Sequence, residues 1–333
     1  MQNTRSNISR QPIPALLQRF PRVEISVLPT PFRRLNRLSE LLGYNLFIKR
    51  DDLTGFAFGG NKTRKLDFLI AEALATGCDT IIGMGANQSN FCRILANAGV
   101  KFGLEIHLVL RGSQPQVPTG NLLIDHLLGV HIHHIATNDN NLFQAAAIQI
   151  RQDLEKQGRR VFFLPPGGSV PIGALGYVAG FRELVADLKH RKIRADYIIH
   201  ASSSAGTQAG LIVGQALTGW PGKIIGMSVD VPRNELRHNV LQLAEQTAGL
   251  LNLQISPELV AVDDQYIGDG YGIPTEGCRE AVNLFARYEG IYLDYVYTGK
   301  AAAGLIDYCR RQQFPADAKI VFLHTGGNVE LFA

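Results

Sequence analysis

Lys62 is the residue of this chain best placed for covalent chemistry. It stands in Gly59-Gly60-Asn61-Lys62-Thr63-Arg64-Lys65-Leu66, and apolar residues recur beyond it at Leu66, Leu69, Ile70, Ala73 and Leu74, the spacing of one helical face. Asn61 reads as the N-cap and Gly77 as the stop. The spacing puts Lys62 on the apolar stripe, with Arg64 pointing the other way. An ammonium among apolar side chains costs free energy unless it is paired, deprotonated or covalently used, and such a lysine is raw material for a Schiff base. The plainer reading is a stem laid on apolar surface with its head group in water. Two glycines that let another group approach the backbone, and Lys65 on the flank of the same face, favour a crowded, anion-attracting pocket.

Three further groups of residues could share that chemistry. Ser202-Ser203-Ser204-Ala205-Gly206-Thr207 opens a helix with small residues, leaving backbone N–H groups bare for a phosphate; the alternative is ordinary Ser/Thr capping. Gln88-Ser89-Asn90 offers short polar side chains at another helix start, enough to hold a carboxylate and place a hydroxyl beside it, or simply to cap. Tyr271, between two glycines, and Tyr297, just before a helix, are candidate ligand walls, although a tyrosine is commonly core filling with a satisfied hydroxyl.

Competing chemistries lack their signatures. Ser89 has no Gly-x-Ser-x-Gly elbow around it, which argues against a hydrolase. In the stretch from Gly55 to Thr63, Asn61 intrudes between glycine and lysine, so the nucleotide phosphate loop fails, and no Gly-x-Gly-x-x-Gly turn appears for a nicotinamide enzyme.

The elements that must position these residues are short aliphatic runs, each leading into a segment of helical period. Strands are expected at 45–49, 80–83, 106–110, 161–164, 197–200, 224–229 and 320–324. Such alternation implies an α/β protein with parallel sheets covered by helices on both faces, whose ligands gather at the carboxyl ends of strands. Three strand exits carry hydroxyls, amides and glycines: Ala86 to Asn90, Ser202 to Thr207, and His324 to Asn328. Gly167-Gly168-Ser169 is the candidate return crossing between a small domain, 61–165, and a large domain made of 1–60 and 166–333.

With 333 residues, 46% of them hydrophobic, the chain can bury a large core. Its 33 basic and 29 acidic residues are dispersed, outlining no nucleic-acid surface. No apolar run reaches membrane-spanning length, and the polar start, Met1 to Arg10, carries no export signal. Cys78, Cys92, Cys278 and Cys309 show neither metal-ligand spacing nor a disulfide framework. A cytoplasmic protein without a metal or a nucleic-acid or membrane partner is the expectation.

Taken together, Gly59 to Lys65, Gln88-Ser89-Asn90, Gly167-Gly168-Ser169 with Gly173-Ala174-Leu175-Gly176-Tyr177, Ser204 to Gly210, Tyr271-Gly272-Ile273-Pro274, Val296 to Lys300 and His324-Thr325-Gly326-Gly327 occur in order. From about residue 19 onward, this closely resembles the D-cysteine desulfhydrase and 1-aminocyclopropane-1-carboxylate (ACC) deaminase family of pyridoxal-phosphate enzymes. The resemblance implies the two-domain tryptophan synthase β-like fold (fold type II), a homodimer and a small amino-acid substrate. It makes Lys62 the Schiff-base lysine and Ser204, Ala205, Gly206 and Thr207 the phosphate cradle, helped by Lys65. Asn61 and Thr325 join the cofactor contacts, Asn90 meets the phenolic oxygen of the ring, and Thr298 faces the pyridine nitrogen. Gln88, Ser89 and Asn90 hold the substrate, and Ser89, Tyr271 and Tyr297 join Lys62 as catalytic groups.

ACC deaminases resemble this chain but carry a glutamate where Thr298 stands. A hydroxyl holds no full positive charge on the pyridine nitrogen, and a weaker electron sink suffices where a good leaving group such as thiolate departs from Cβ. The implied reaction is α,β-elimination from D-cysteine to pyruvate, hydrogen sulfide and ammonia, with Lys62 or Ser89 taking the α-proton. ACC ring opening, sulfite elimination from L-cysteate and cofactor binding without turnover are the alternatives. Two departures from the family pattern bear on the pocket: Phe91 replaces a histidine after Gln-Ser-Asn, and Tyr295 replaces a proline.

Overall fold

All seven aliphatic runs form strands in the computed structural model, which describes residues 13–333; the polar start, 1–10, lies outside the described residues. The chain proceeds through α1 (Ile13–Gln18), β1 (Phe32–Arg34), α2 (Asn36–Leu42), β2 (Asn45–Arg50) and α3 (Asn61–Ala75). Next come β3 (Thr80–Ala86), α4 (Asn90–Phe102), β4 (Glu105–Arg111), α5 (Gly120–Leu127), β5 (His131–Ile135), α6 (Asn140–Lys156), β6 (Val161–Leu164) and α7 (Pro171–His190). The alternation continues through β7 (Tyr197–Ser202), α8 (Gly206–Thr218), β8 (Lys223–Ser228), α9 (Arg233–Leu250) and β9 (Ala261–Asp263). Two consecutive helices, α10 (Glu276–Glu289) and α11 (Thr298–Arg310), lead to β10 (Lys319–His324) and a 3-10 turn at Asn328–Phe332. No described helix is long and apolar enough to cross a membrane.

The strands make two sheets, ordered β1-β2-β10-β7-β8-β9 and β5-β4-β3-β6. All pairings are parallel except β1 against β2. The central strands are apolar on both faces because helices cover both. On the smaller sheet Ile81, Ile106 and Leu108 meet α3 and α4 through Leu69, Ile94 and Leu95. Ile82, Met84 and Val109 meet α6 through Phe143 and Ala147.

Three strands had no sequence signal. β1 and β9 are three residues long, too short for a period to show. In β5, His-Ile-His-His-Ile, adjacent histidines hide the alternation.

One reading around α3 is corrected. Its N-cap is Gly60, with φ +118° and no capping side chain, and Asn61 is already helical. The Asn61 N–H goes to the Thr325 carbonyl (2.8 Å), so a neighbouring strand exit caps the helix and the Asn61 amide is free to bond Thr207 Oγ1 (2.9 Å). Arg64 does point away from Lys62, but into protein. Its Nε donates to Asp51 Oδ2 (2.8 Å) and its Nη1 to Glu183 Oε2 (3.0 Å), while Tyr177 Oη donates to Asp51 Oδ2 (2.7 Å). Helix α3 is buried almost all round, and α7 crosses it in backbone contact: a Cβ on Gly176 would lie 2.2 Å from the Arg64 carbonyl oxygen. This clamp fixes the height and rotation of the helix that carries Lys62.

Candidate active site

The three polar strand exits open into one cavity of about 400 Å³, within the usual range for small-ligand sites. β3 brings Ser89 and Asn90 to it, β7 brings Ser204 and Thr207, and β10 brings Thr325, with Lys62 between them. Parallel strands all end on the same side of their sheet, so residues far apart in sequence converge there.

Lys62 is half-buried, its Nζ 3.2 Å from Asn61 Oδ1. Burial pulls its pKa down to about 8 against the opposing charge of Glu330, with Arg93 lowering it further and Asp294 raising it. At neutral to mildly alkaline pH a substantial share of this amine is therefore unprotonated, the state needed for attack on a carbonyl or for accepting a proton.

The opposite wall is an anion cradle. Ala205 takes φ +66° to swing the chain from β7 into α8, whose axis starts at Gly206. Lys65 Nζ lies under this turn, donating to the Gly167 carbonyl (3.0 Å) and Ser169 Oγ (3.4 Å), and Ser169 Oγ donates to Ser204 Oγ (2.9 Å). A Cβ on Gly206 would stand 2.4 Å from Lys65 Nζ, so only glycine lets the ammonium reach the cradle. Lys65 is fully buried without a carboxylate partner, and burial followed by the charge of Lys62 holds its pKa well below the usual lysine range. A dianionic phosphate held at the α8 N-terminus would supply the missing counter-charge, so these residues fit the pyridoxal phosphate that the resemblance implies.

The other expected residues divide. Ser89 lines the cavity and also caps α4, accepting from Cys92 N (3.2 Å); accepting that bond leaves its O–H free. Gln88 does not line the cavity: its Nε2 donates to the Thr119 carbonyl (3.1 Å) and its Oε1 accepts from Asn121 N (2.9 Å), tying α5 to the loop. Thr298 is buried outside the lining, its hydroxyl donating to Asp294 Oδ2 (2.5 Å). Tyr271 and Tyr297 both line the cavity and share a hydrogen bond between their hydroxyls. Desolvation raises the pKa of both phenols above the ordinary value, although Tyr271 keeps 43% of its surface exposed; both are neutral donors at physiological pH. Of the two departures, Phe91 is a cavity wall, whereas Tyr295 lies outside it against the core of α10 and α11.

Three charged residues adjoin this site without a sequence motif of their own pointing to it. Glu330, on the turn after β10, accepts from Asn90 Nδ2 (2.6 Å), and its second oxygen is buried without a partner. Burial first, then the charge of Asp294, raises its pKa well above the usual carboxylate range. Arg93, one turn into α4, donates to Asn121 Oδ1 (2.7 Å) and the Gly59 carbonyl (3.0 Å). Asp294 accepts from the backbone N–H groups of Val296 (2.8 Å), Tyr297 (2.5 Å) and Thr298 (2.9 Å). An aspartate just ahead of a helix start was a readable capping signal; Glu330 and Arg93 have no local motif.

The family described as pyridoxal-phosphate dependent enzyme matches residues 23–326. The D-cysteine desulfhydrase of Salmonella typhi is 41% identical over 324 residues, 95% of this chain and 97% of that protein. A provisionally named 1-aminocyclopropane-1-carboxylate deaminase of Pyrococcus abyssi is 36% identical over 320 residues, 96% of each chain. A crystal structure described as the ACC deaminase homologue superposes with a TM-score of 0.89 at 36% identity, covering 96% of both chains.

Proposed function

The chain belongs to the pyridoxal-phosphate dependent enzymes, and on that premise we propose that it is a lyase eliminating the β-substituent of a small amino acid, D-cysteine in the first place, to give pyruvate, hydrogen sulfide and ammonia. The observation that carries this is a lysine with pKa about 8 facing an anion cradle across one cavity, with hydroxyl donors on the remaining walls. When bound, the cofactor supplies the electron sink that makes the α-proton of the amino acid acidic. This chain's residues do the rest. Lys62 would hold the cofactor aldehyde, and Ser204 to Thr207 with Lys65 its phosphate. The free O–H of Ser89 and the N-terminus of α4 suit the substrate carboxylate. Lys62 and Ser89, both on the cavity wall, are the candidates for taking the α-proton. The neutral Tyr271–Tyr297 pair can deliver a proton to a departing thiolate.

ACC ring opening is the second reading, favoured by the Pyrococcus relative and the ACC deaminase homologue. One experiment separates the substrates: purified protein incubated with D-cysteine, L-cysteate or ACC, with sulfide, sulfite and 2-oxobutyrate measured. Sulfide from D-cysteine supports the first reading, and 2-oxobutyrate alone overturns it. A yellow colour bleached by borohydride and lost in Lys62→Ala tests the attachment point. Cytoplasmic location and a homodimer belong to the same proposal on the strength of the resemblance; light scattering tests the dimer.

A further inference from the structure

At the opposite end of the smaller sheet from the cavity, the starts of β4 and β5 bring together side chains that have no part in this chemistry. Glu105 and His107 point to one face of β4, while His131 and His133 point to the same face of the edge strand β5, with His107 opposite His131 and Val109 opposite His133. His107 Nε2 lies 2.9 Å and His131 Nε2 3.6 Å from Glu105 Oε1, and one donor atom from each of the three residues falls within 4.8 Å of the others. His107 Nδ1 lies 3.0 Å from His133 Nε2, and Arg159 holds the other oxygen of Glu105.

We propose that Glu105, His107 and His131 bind a divalent transition-metal ion of the zinc, nickel or copper class, with His133 and Arg159 orienting two of the ligands. Ligands about 2.0–2.1 Å from a tetrahedral ion are roughly 3.3 Å apart, and the two carboxylate–imidazole separations bracket that value. Two imidazoles and one carboxylate select such ions over magnesium or calcium. When His107 donates its Nδ1 proton to His133, its Nε2 lone pair is left for the metal, the arrangement by which an outer partner fixes a ligand's tautomer. The His107 and His131 rings are stacked at 4.4 Å and 16°, so their in-plane lone pairs run nearly parallel. Convergence on one ion needs a turn of the His131 ring, which its 58% side-chain exposure allows. Water would take the fourth position, and the ion would pin the edge strand to its neighbour far from the cavity, independently of the lyase reading.

The test is calorimetric titration and thermal melting of the full-length protein, freed of metal by chelation, with Zn²⁺ or Mg²⁺ added. One Zn²⁺ site that raises the melting temperature, with no response to Mg²⁺, is expected. His131→Ala, on the exposed edge, should abolish the site while melting normally without metal. His133→Ala should weaken it about 10- to 100-fold. Failure of Zn²⁺ to bind, or a Zn²⁺ isotherm unchanged in both His131→Ala and Glu105→Gln, overturns the proposal.

Discussion

Asn90 Nδ2 donates to Glu330 Oε1 at 2.6 Å, joining the first residue of α4 to the turn that follows β10. Asn90 Oδ1 accepts from Arg93 Nη1 and Asn121 Nδ2, each at 3.2 Å. With both ends of the amide engaged, its orientation is fixed, and the second N–H of Nδ2 is the one left for a ligand.

Glu330 is also the leading opposite charge acting on Lys62. Glu330→Gln and Glu330→Ala should both lower the pKa of Lys62 below about 8, because Glu330, despite its raised pKa, stabilises the ammonium form wherever it is ionised. The glutamine still accepts from Asn90, so only the alanine variant should also lose cofactor affinity. Amine labelling of Lys62 against pH in cofactor-free protein, read by mass spectrometry, checks this. An unchanged titration in Glu330→Gln would show that the carboxyl carries no charge there.

Tyr271 and Tyr297 should act as a unit. Tyr297→Phe is expected to lower kcat by about 10²-fold, the scale of one positioned proton donor, with cofactor absorbance unchanged. Since the hydroxyls bond each other, the double Phe variant should be no worse than Tyr297→Phe alone, a non-additivity that a double-mutant cycle measures.

Arg64 neutralises Asp51 and Glu183 inside the protein. Arg64→Ala leaves the carboxylate of Asp51 buried and unpaired, which costs about 3–5 kcal/mol, read as a lower urea midpoint. The cofactor should be held less tightly too, because the same pair anchors α3.

His200, in the middle of β7, is fully buried, bonded through Nδ1 to the Ala201 carbonyl and without a partner at Nε2. Burial lowers its pKa from 6.5 to about 4. Between those values the unfolded chain binds a proton that the native protein does not, so stability falls as pH drops through this window. The loss is about 3 kcal/mol once pH reaches the folded value. Denaturation at pH 7 and pH 4.5 should show a smaller difference in His200→Gln than in the parent protein.

Much of the layout was legible because its causes are local. Val161 to Leu164 and Tyr197 to Ser202 are β-rich runs, and the small residues after β7 read directly as an open helix start. Local periodicity also placed Lys62 and Arg64 on opposite sides of α3. It carried no information about what each side meets, and a face that reads as solvent-facing on an isolated helix proved to be an ion-paired core.

The residue types and their order determined the alternating α/β plan, the lysine, the cradle glycines and the paired tyrosines as candidates, since a strand or helix start depends on near neighbours. Folding alone decided that the turn after β10 lays Glu330 against Asn90, that the Thr325 carbonyl caps the helix of Lys62, and that the side chains of Gln88 and Thr298 meet Thr119 and Asp294. Those outcomes depend on burial and on charges brought close by parallel strands ending on one side of a sheet. Neither distance nor desolvation is written in any single stretch of sequence.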